Sequence, residues 1–230
     1  MQINWDAKTV FNKDIGFEVS PEKAIEKLDS FITDERKERI EKVLSNRSSY
    51  FVPVMESLYD RGNISAVMRS AEAFGFHRFH IIETSKEFKE SHRVTQGADK
   101  WLEVKKWDNT KDCISSLKEQ GYKIYATHLS KEAVDFGDLD FSQKTAVIFG
   151  NEKDGVSEEA LEMADGNVLL PMAGFTQSFN ISVAGALSFQ QAFLKGPPKI
   201  DAEEKKLMRA AYYLRTITWP EKALREVFSA

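Results

Sequence analysis

Residues 50–195 predict an α/β domain in which a parallel β-sheet carries helices on its faces. Short apolar runs with strand character alternate with runs of helical period, and glycine and proline punctuate the alternation. The polar residues that interrupt it gather where strands end and helices begin. Charged segments of helical period on either side predict an N-terminal helical arm over residues 1–49 and a C-terminal helical arm over residues 196–230.

In the first arm, residues 21–45 read as helical. Pro21 suits a first helical position, Ala24, Leu28, Phe31 and Ile32 recur at helical spacing, and Thr33-Asp34 offers a break or a cap. The domain then runs strand 50–55, helix 63–74, strand 78–82, strand 101–107, and helix 111–120 stopped by Gly121. Strands 122–129 and 145–149, helix 157–164, a short strand 167–170 and a long helix 181–194 follow. Gly196-Pro-Pro198 closes the domain, and Leu207, Ala210, Ala211 and Leu214 trace one apolar stripe in the last arm.

Composition removes several classes of function. The 230 residues are 42% hydrophobic and 30% charged, near globular averages, so neither a disordered nor a fibrous chain is expected. The charged N-terminus lacks the apolar core of a signal peptide, and no stretch approaches the roughly 18 apolar residues of a membrane span. A cytoplasmic protein with no membrane partner is expected. The single cysteine, Cys113, excludes an intramolecular disulfide and a cysteine-rich metal site, and no metal is expected. Net charge of −4 argues mildly against nucleic acid as a partner, but distribution matters more than the sum. Arg36, Lys37, Arg39, Lys42 and Arg47 cluster before the domain, and Lys195, Lys199, Lys205, Lys206, Arg209 and Arg215 after it. Interleaved glutamates allow these to be solvated faces as readily as phosphate contacts.

Three separated segments carry the candidate chemistry. In Asn63-Ile-Ser-Ala-Val-Met-Arg69 the asparagine is placed to cap a helix, and Arg69 lies mid-helix with Glu72 as an ion-pair candidate three residues on. Gly150-Asn-Glu-Lys-Asp-Gly155 puts a polar turn containing Glu152 at the end of an apolar strand, where open parallel sheets bind ligands. In the third, residues 171–185, a proline and glycine loop leads to Ser178 and Asn180 at the start of a helix rich in small residues, Ser182, Ala184, Gly185 and Ala186. Those residues permit close backbone approach, and helix N-terminal amides attract anions and polar groups. Neither the dinucleotide fingerprint nor the Walker-type loop occurs.

In order and spacing these segments resemble the SPOUT superfamily of RNA methyltransferases, and within it the TrmH family of tRNA 2′-O-ribose methyltransferases, over roughly residues 50–195. Ala126-Thr-His-Leu129 and Ala133-Val-Asp-Phe136 also look like the TrmH subgroup, whereas Arg61-Gly62 stands where close TrmH relatives carry Pro-His. The resemblance implies a deep trefoil knot in the third segment and S-adenosylmethionine bound by main-chain groups around Thr127, Gly150, Leu170 and Phe179. It further implies a homodimer with the site at the subunit interface, and tRNA as substrate, methylated on the ribose of the D-loop guanosine numbered eighteen.

Arg69 matches the family's central catalytic residue, acting either as the group that takes the 2′-hydroxyl proton or as one that orients the oxygen. A guanidinium has donors only, which sets the first option against its ordinary chemistry. The resemblance makes Asn63 and Asn180 candidates for positioning Arg69 and the ribose, Ser178 for fixing the cofactor loop, and Glu152 for holding Arg69 or the opposite loop. Arg36, Arg39, Arg47 and Arg61 are the candidate RNA contacts, orienting the strand through phosphates. A ribosomal RNA ribose methyltransferase of the same fold, and an RNA-binding protein without chemistry, are the alternatives.

Overall fold

A computed structural model describes residues 1–13, 16–58, 60–83, 97–217 and 227–228, without the side chain of Arg61. The chain forms two compact units, Met1–Arg47 with Lys199–Ala230, and Ser48–Pro198.

The first unit departs from an all-helical arm at its start. Strands β1 (Gln2–Asn4), β2 (Thr9–Asn12) and β3 (Phe17–Val19) form an antiparallel sheet. Its register pairs Ile3 with Val10 and Val10 with Val19, so these residues and Phe17 share a buried face. Strands of three or four residues are too short for their alternation to stand out against the charged background. Helix α1 (Pro21–Leu28) follows, with Ser20 accepting from the Lys23 amide, and α2 (Asp34–Leu44) is capped by Thr33, the break expected at that point. In the last helix, α7 (Ala202–Thr216), the stripe Leu207, Ala210, Ala211 and Leu214 is buried as expected.

Several basic residues of this unit are not free to meet a phosphate. Arg47, expected as an RNA contact, is instead buried, with its Nε donating to Tyr212 Oη at 3.1 Å. It lies three residues beyond the end of α2, where its guanidinium sits over the Tyr212 ring, 5.9 Å from the centroid. Arg209 forks onto Glu41, which Lys205 also meets at 3.3 Å, and Lys206 reaches Glu22 at 2.6 Å. Burial pushes the Glu41 carboxyl up, but the hydrogen bonds and charges of Arg209 and Lys205 outweigh it and hold the group below its ordinary value. Arg39 and Lys42, on the same helix as Glu41, are exposed and make no ion pair among the described residues.

The second unit is the expected parallel sheet. In chain order it contains β4 (Phe51–Glu56), α3 (Arg61–Ala73), β5 (Arg78–Ile82), β6 (Glu103–Trp107), α4 (Thr110–Glu119), β7 (Lys123–Thr127), β8 (Val134–Asp135), β9 (Thr145–Phe149), α5 (Glu158–Met163), β10 (Gly166–Leu169) and α6 (Ile181–Leu194). Among the described residues all seven strands pair parallel, in the order β6-β5-β4-β9-β7-β10-β8. A turn of 3₁₀ helix over Ala98–Trp101 delays β6 to Glu103, and Gly121, at φ 82°, ends α4 as the sequence suggested.

The pleat sorts the core. On one face Phe51, Met55, Val147 and Phe149 meet Val67, Met68 and Ala71 of α3 and Phe189 and Ala192 of α6. On the other, Val52, Val54, Ala146 and Ile148 meet Cys113, Ile114 and Leu117 of α4 and Ala160 of α5. Phe51 anchors the first face, touching Phe76, Phe136, Phe141 and Phe189 edge-on with ring centroids 5.3, 5.8, 5.5 and 5.4 Å away. Gly185 brings α6 tight against α3, since a Cβ there would lie 3.0 Å from Val67.

On β5, His80 is buried and its Nδ1 accepts from the Trp107 indole at 3.1 Å, which leaves its proton on Nε2. Burial, with the charges of Lys105 and Arg78, pushes its pKa from the usual 6.5 to about 3. An unfolded chain takes up this proton near 6.5 and the folded chain only near 3. Stability is therefore whole above pH 6.5 and falls as pH drops toward 3, by up to about 1.4 kcal/mol per unit. His80→Gln, whose amide oxygen accepts the same indole hydrogen, is expected to flatten the fall of the urea midpoint between pH 6 and 4. Equal slopes for the two proteins would remove His80 as the cause.

Candidate active site

After β4 the chain crosses toward β5 and β6 on one side, whereas β9, its other neighbour, leads to strands on the opposite side. Connections that diverge in this way open a crevice at the carboxyl ends of the two central strands. Asn63 stands in the first turn of α3, which follows β4, Glu152 lies in the loop after β9, and the loop after β10 brings Asn180 to the same edge.

Asn63 does not cap α3. Asp60 does, accepting from the Gly62 amide at 2.7 Å, because its side chain hangs at the true start of the helix. That releases the buried Asn63 side chain for longer contacts. Its Nδ2 donates to Glu152 Oε1 at 2.7 Å and its Oδ1 accepts from Asn180 Nδ2 at 3.3 Å. Asn180 in turn caps α6, its Oδ1 accepting from the Ser182 amide at 2.9 Å and from Ser182 Oγ at 2.5 Å. A carboxylate only accepts and a backbone N–H only donates, so both amide orientations are dictated from the ends of the chain. Glu152 meets Asn63 of α3 and makes no hydrogen bond to Arg69 among the described residues.

The turn presenting Glu152 is tightly closed. Asn151 and Gly155 exchange two backbone hydrogen bonds of 3.1 Å, and Asn151 Oδ1 accepts from the Lys153 and Asp154 amides at 2.9 and 2.7 Å. Gly155 sits at φ 73°, and a Cβ on Gly150 would fall 2.0 Å from the Gly155 carbonyl carbon. Only glycine fits at 150.

Arg69 lies about 9 Å farther along the α3 axis than Asn63, at a rise of roughly 1.5 Å per residue. It is exposed, and among the described residues it has neither an ion pair with Glu72 nor any hydrogen bond. It stands outside the Glu152–Asn63–Asn180 chain. Ser178, also exposed, makes no hydrogen bond among the described residues.

Beside the network opens a cavity of about 540 Å³, lined by all five residues singled out for the cofactor, Thr127, Gly150, Leu170, Ser178 and Phe179. Its floor is apolar, from Phe136, Phe149 and Val168, and Glu152 and Asn180 stand at its edge. Thr127 spends its hydroxyl on the Ile148 carbonyl at 3.0 Å, so its main chain is what it offers a ligand. The volume and the pairing of an apolar floor with strand-end peptide groups suit a molecule the size of S-adenosylmethionine. Met172 and Gln177, also in the lining, were missed in the sequence, though both lie in the third segment. Among the described residues no group of His, Cys, Asp and Glu is arranged for a metal ion, and no helix is long and apolar enough to cross a membrane.

A parallel sheet with its ligand cavity and polar network at the carboxyl edge defines a ligand-binding protein of the open α/β class. Within that class the chain belongs to the SpoU rRNA Methylase family, whose model matches residues 50–190. It is 38% identical over 200 residues to a tRNA (guanosine(18)-2′-O)-methyltransferase of Borreliella burgdorferi, a match covering 85% of this chain and 92% of that protein. The crystal structure of the A. aeolicus TrmH/SpoU tRNA modifying enzyme superposes with a TM-score of 0.69 at 32% identity, over 78% of this chain and 96% of the other. The SpoU methyltransferase AviRb of Streptomyces viridochromogenes, solved in complex with AdoMet, shares the fold at a TM-score of 0.59 and 22% identity, over 66% of this chain and 63% of that one.

Proposed function

We propose that this protein transfers a methyl group from S-adenosylmethionine to the ribose 2′-hydroxyl of guanosine 18 in tRNA, working in the cytoplasm as a homodimer. The joining of Glu152 and Asn180 through Asn63, beside a cavity that both of them line together with Gly150, Leu170 and Phe179, carries this reading. The names of the relatives supply its substrate. When bound, S-adenosylmethionine supplies an electrophilic methyl carbon on a sulfonium sulfur. The 2′-oxygen forms the new bond to that carbon as the carbon–sulfur bond breaks, and the hydroxyl proton leaves.

Alignment dominates such a displacement, and the residues divide its tasks. The Glu152–Asn63–Asn180 chain fixes the mouth of the cavity. Arg69, with donors only, orients the 2′-oxygen and balances the RNA phosphate beside it, and the proton passes to that phosphate or to water. Ser178, whose hydroxyl makes no hydrogen bond among the described residues, holds the cofactor loop.

Three further parts of the reading rest on surfaces. α6 is apolar nearly all round, yet Val183 and Phe193 are each 45% exposed and Leu194 74%, an exposed apolar face suited to a second copy. The loop before α6 and the helix itself, residues 171–194, pass through another loop as a knot. Arg36 and Arg39 of α2 contact the tRNA backbone, joined by Arg61, whose side chain lies outside the described residues.

The decisive measurement incubates the protein with methyl-labelled cofactor and total RNA, then maps the ribose-methylated nucleotide. One methyl per tRNA, at guanosine 18, is expected. Label confined to ribosomal RNA would move the substrate, and no label in any RNA would remove the activity.

A further inference from the structure

We infer that Glu56 is a positioning residue for methyl transfer, an inference that rests on the proposed reaction. Glu56 ends β4 and is 3% exposed, an uncommon place for a carboxylate unless it is fully bonded. It is. Oε1 accepts from Thr110 Oγ1 at 2.6 Å and from Ser157 Oγ at 2.7 Å, and Oε2 accepts from the Ser157 amide at 2.9 Å.

Two of these three bonds go to Ser157, which closes the segment beginning at Gly150 and caps α5 through the Ala160 amide. The same carboxylate belongs to the strand whose next loop leads into α3. Ser57, the residue that follows, is held at φ 51°, a left-handed conformation rare outside glycine, with its amide donating to the Ile82 carbonyl at 2.9 Å. Glu56 therefore fastens the far end of the Glu152 turn to the point from which the chain departs toward Asn63. The 2.7 Å bond between Asn63, in the first turn of α3, and Glu152 joins two segments whose roots Glu56 ties together. Thr110, the third partner, starts α4 and leads to neither loop.

Glu56→Gln keeps the shape of the side chain but removes its charge, and an amide nitrogen in place of Oε1 reverses the hydrogen bonds from the Thr110 and Ser157 hydroxyls while its oxygen keeps the Ser157 amide. At saturating cofactor and tRNA it is expected to lower kcat tenfold or more, with tRNA affinity unchanged and amide exchange faster at Gly155 and Ser157 than in β4 and β9. If Glu56 acts through Glu152, the Glu56→Gln/Glu152→Ala protein turns over no more slowly than Glu152→Ala alone. Thr110→Val is expected to lower the thermal midpoint yet keep kcat within twofold. Should Glu56→Gln fail to fold, Ser157→Ala carries the same cycle, with a threefold or larger fall in kcat that Glu152→Ala absorbs. A kcat within twofold of wild type, losses that multiply in the double variant, or an equal kcat loss in Thr110→Val would overturn the inference. Wild-type turnover measured alongside separates these results from failure of the methyl-transfer reading itself.

Discussion

Arg69→Ala is expected to slow methyl transfer by about a hundred- to a thousandfold while leaving the fold intact, the scale seen when a donor aimed at a developing charge is removed. The two halves of this expectation have separate causes. Arg69 is exposed on α3 and has no hydrogen bond or ion pair among the described residues, so its truncation leaves nothing unpaired. Alanine is also the better helix former, and surface changes of this kind stay within roughly 0.5 kcal/mol. A guanidinium with no partner among the described residues is available to something that arrives. Arg69→Lys keeps the charge but not the planar fork, and it is expected to recover only a small part of the rate. Single-turnover rates alongside thermal melts test both halves. Full turnover by Arg69→Ala would end the catalytic assignment, and a collapsed melt would show that Arg69 serves the fold instead.

Gly150→Ala is expected to weaken cofactor binding a hundredfold or more, because one methyl group meets backbone rather than a yielding side chain. Its Cβ would stand 2.0 Å from the Gly155 carbonyl carbon, 2.1 Å from the Val156 nitrogen and 2.2 Å from the Gly155 oxygen. The paired Asn151 and Gly155 must separate, moving Glu152 away from Asn63 and the turn into the cavity. Overpacking of this kind costs about 1–3 kcal/mol, and at roughly 2–4 °C per kcal/mol for a chain of this size the melt drops by several degrees without abolishing folding. Gly174→Ala in the loop before α6, where a Cβ would find its nearest neighbour at 3.7 Å, is the matched control and should bind within twofold of wild type. Equilibrium binding of S-adenosylmethionine to both proteins decides the matter. Undiminished affinity in Gly150→Ala would mean that the turn does not shape the cofactor site.

How far the sequence speaks depends on how local each cause is. Strands 78–82 and 145–149 and the helix 181–194 have the limits read from the sequence, since each is an apolar run bounded by its own breakers. The first three strands were missed because none exceeds four residues, and their buried face appears only when all three are paired. Asp60 and Asn63 were both eligible to cap α3, and nothing nearby in the chain chooses between them. Their roles are decided by Glu152, eighty-nine residues away. Glu56 reads as an ordinary charge at a strand end for the same reason, its partners being fifty-four and one hundred and one residues distant. Arg47 misled in the opposite direction, since a basic residue among basic residues resembles a surface until Tyr212 is seen to cover it.

The order of strands in the sheet also sets a timetable for the newborn chain. β4 pairs with β5 across a short helical crossover, but its other edge waits for β9, about ninety residues later. At ribosomal rates of about 5–20 residues per second, that edge stays open for several seconds or more. Phe51, Val52, Val54 and Met55 have no finished core until then. Half a sheet with a sticky border is a substrate for aggregation or for a chaperone, so efficient production of this protein depends on what shields that border before residue 145 emerges.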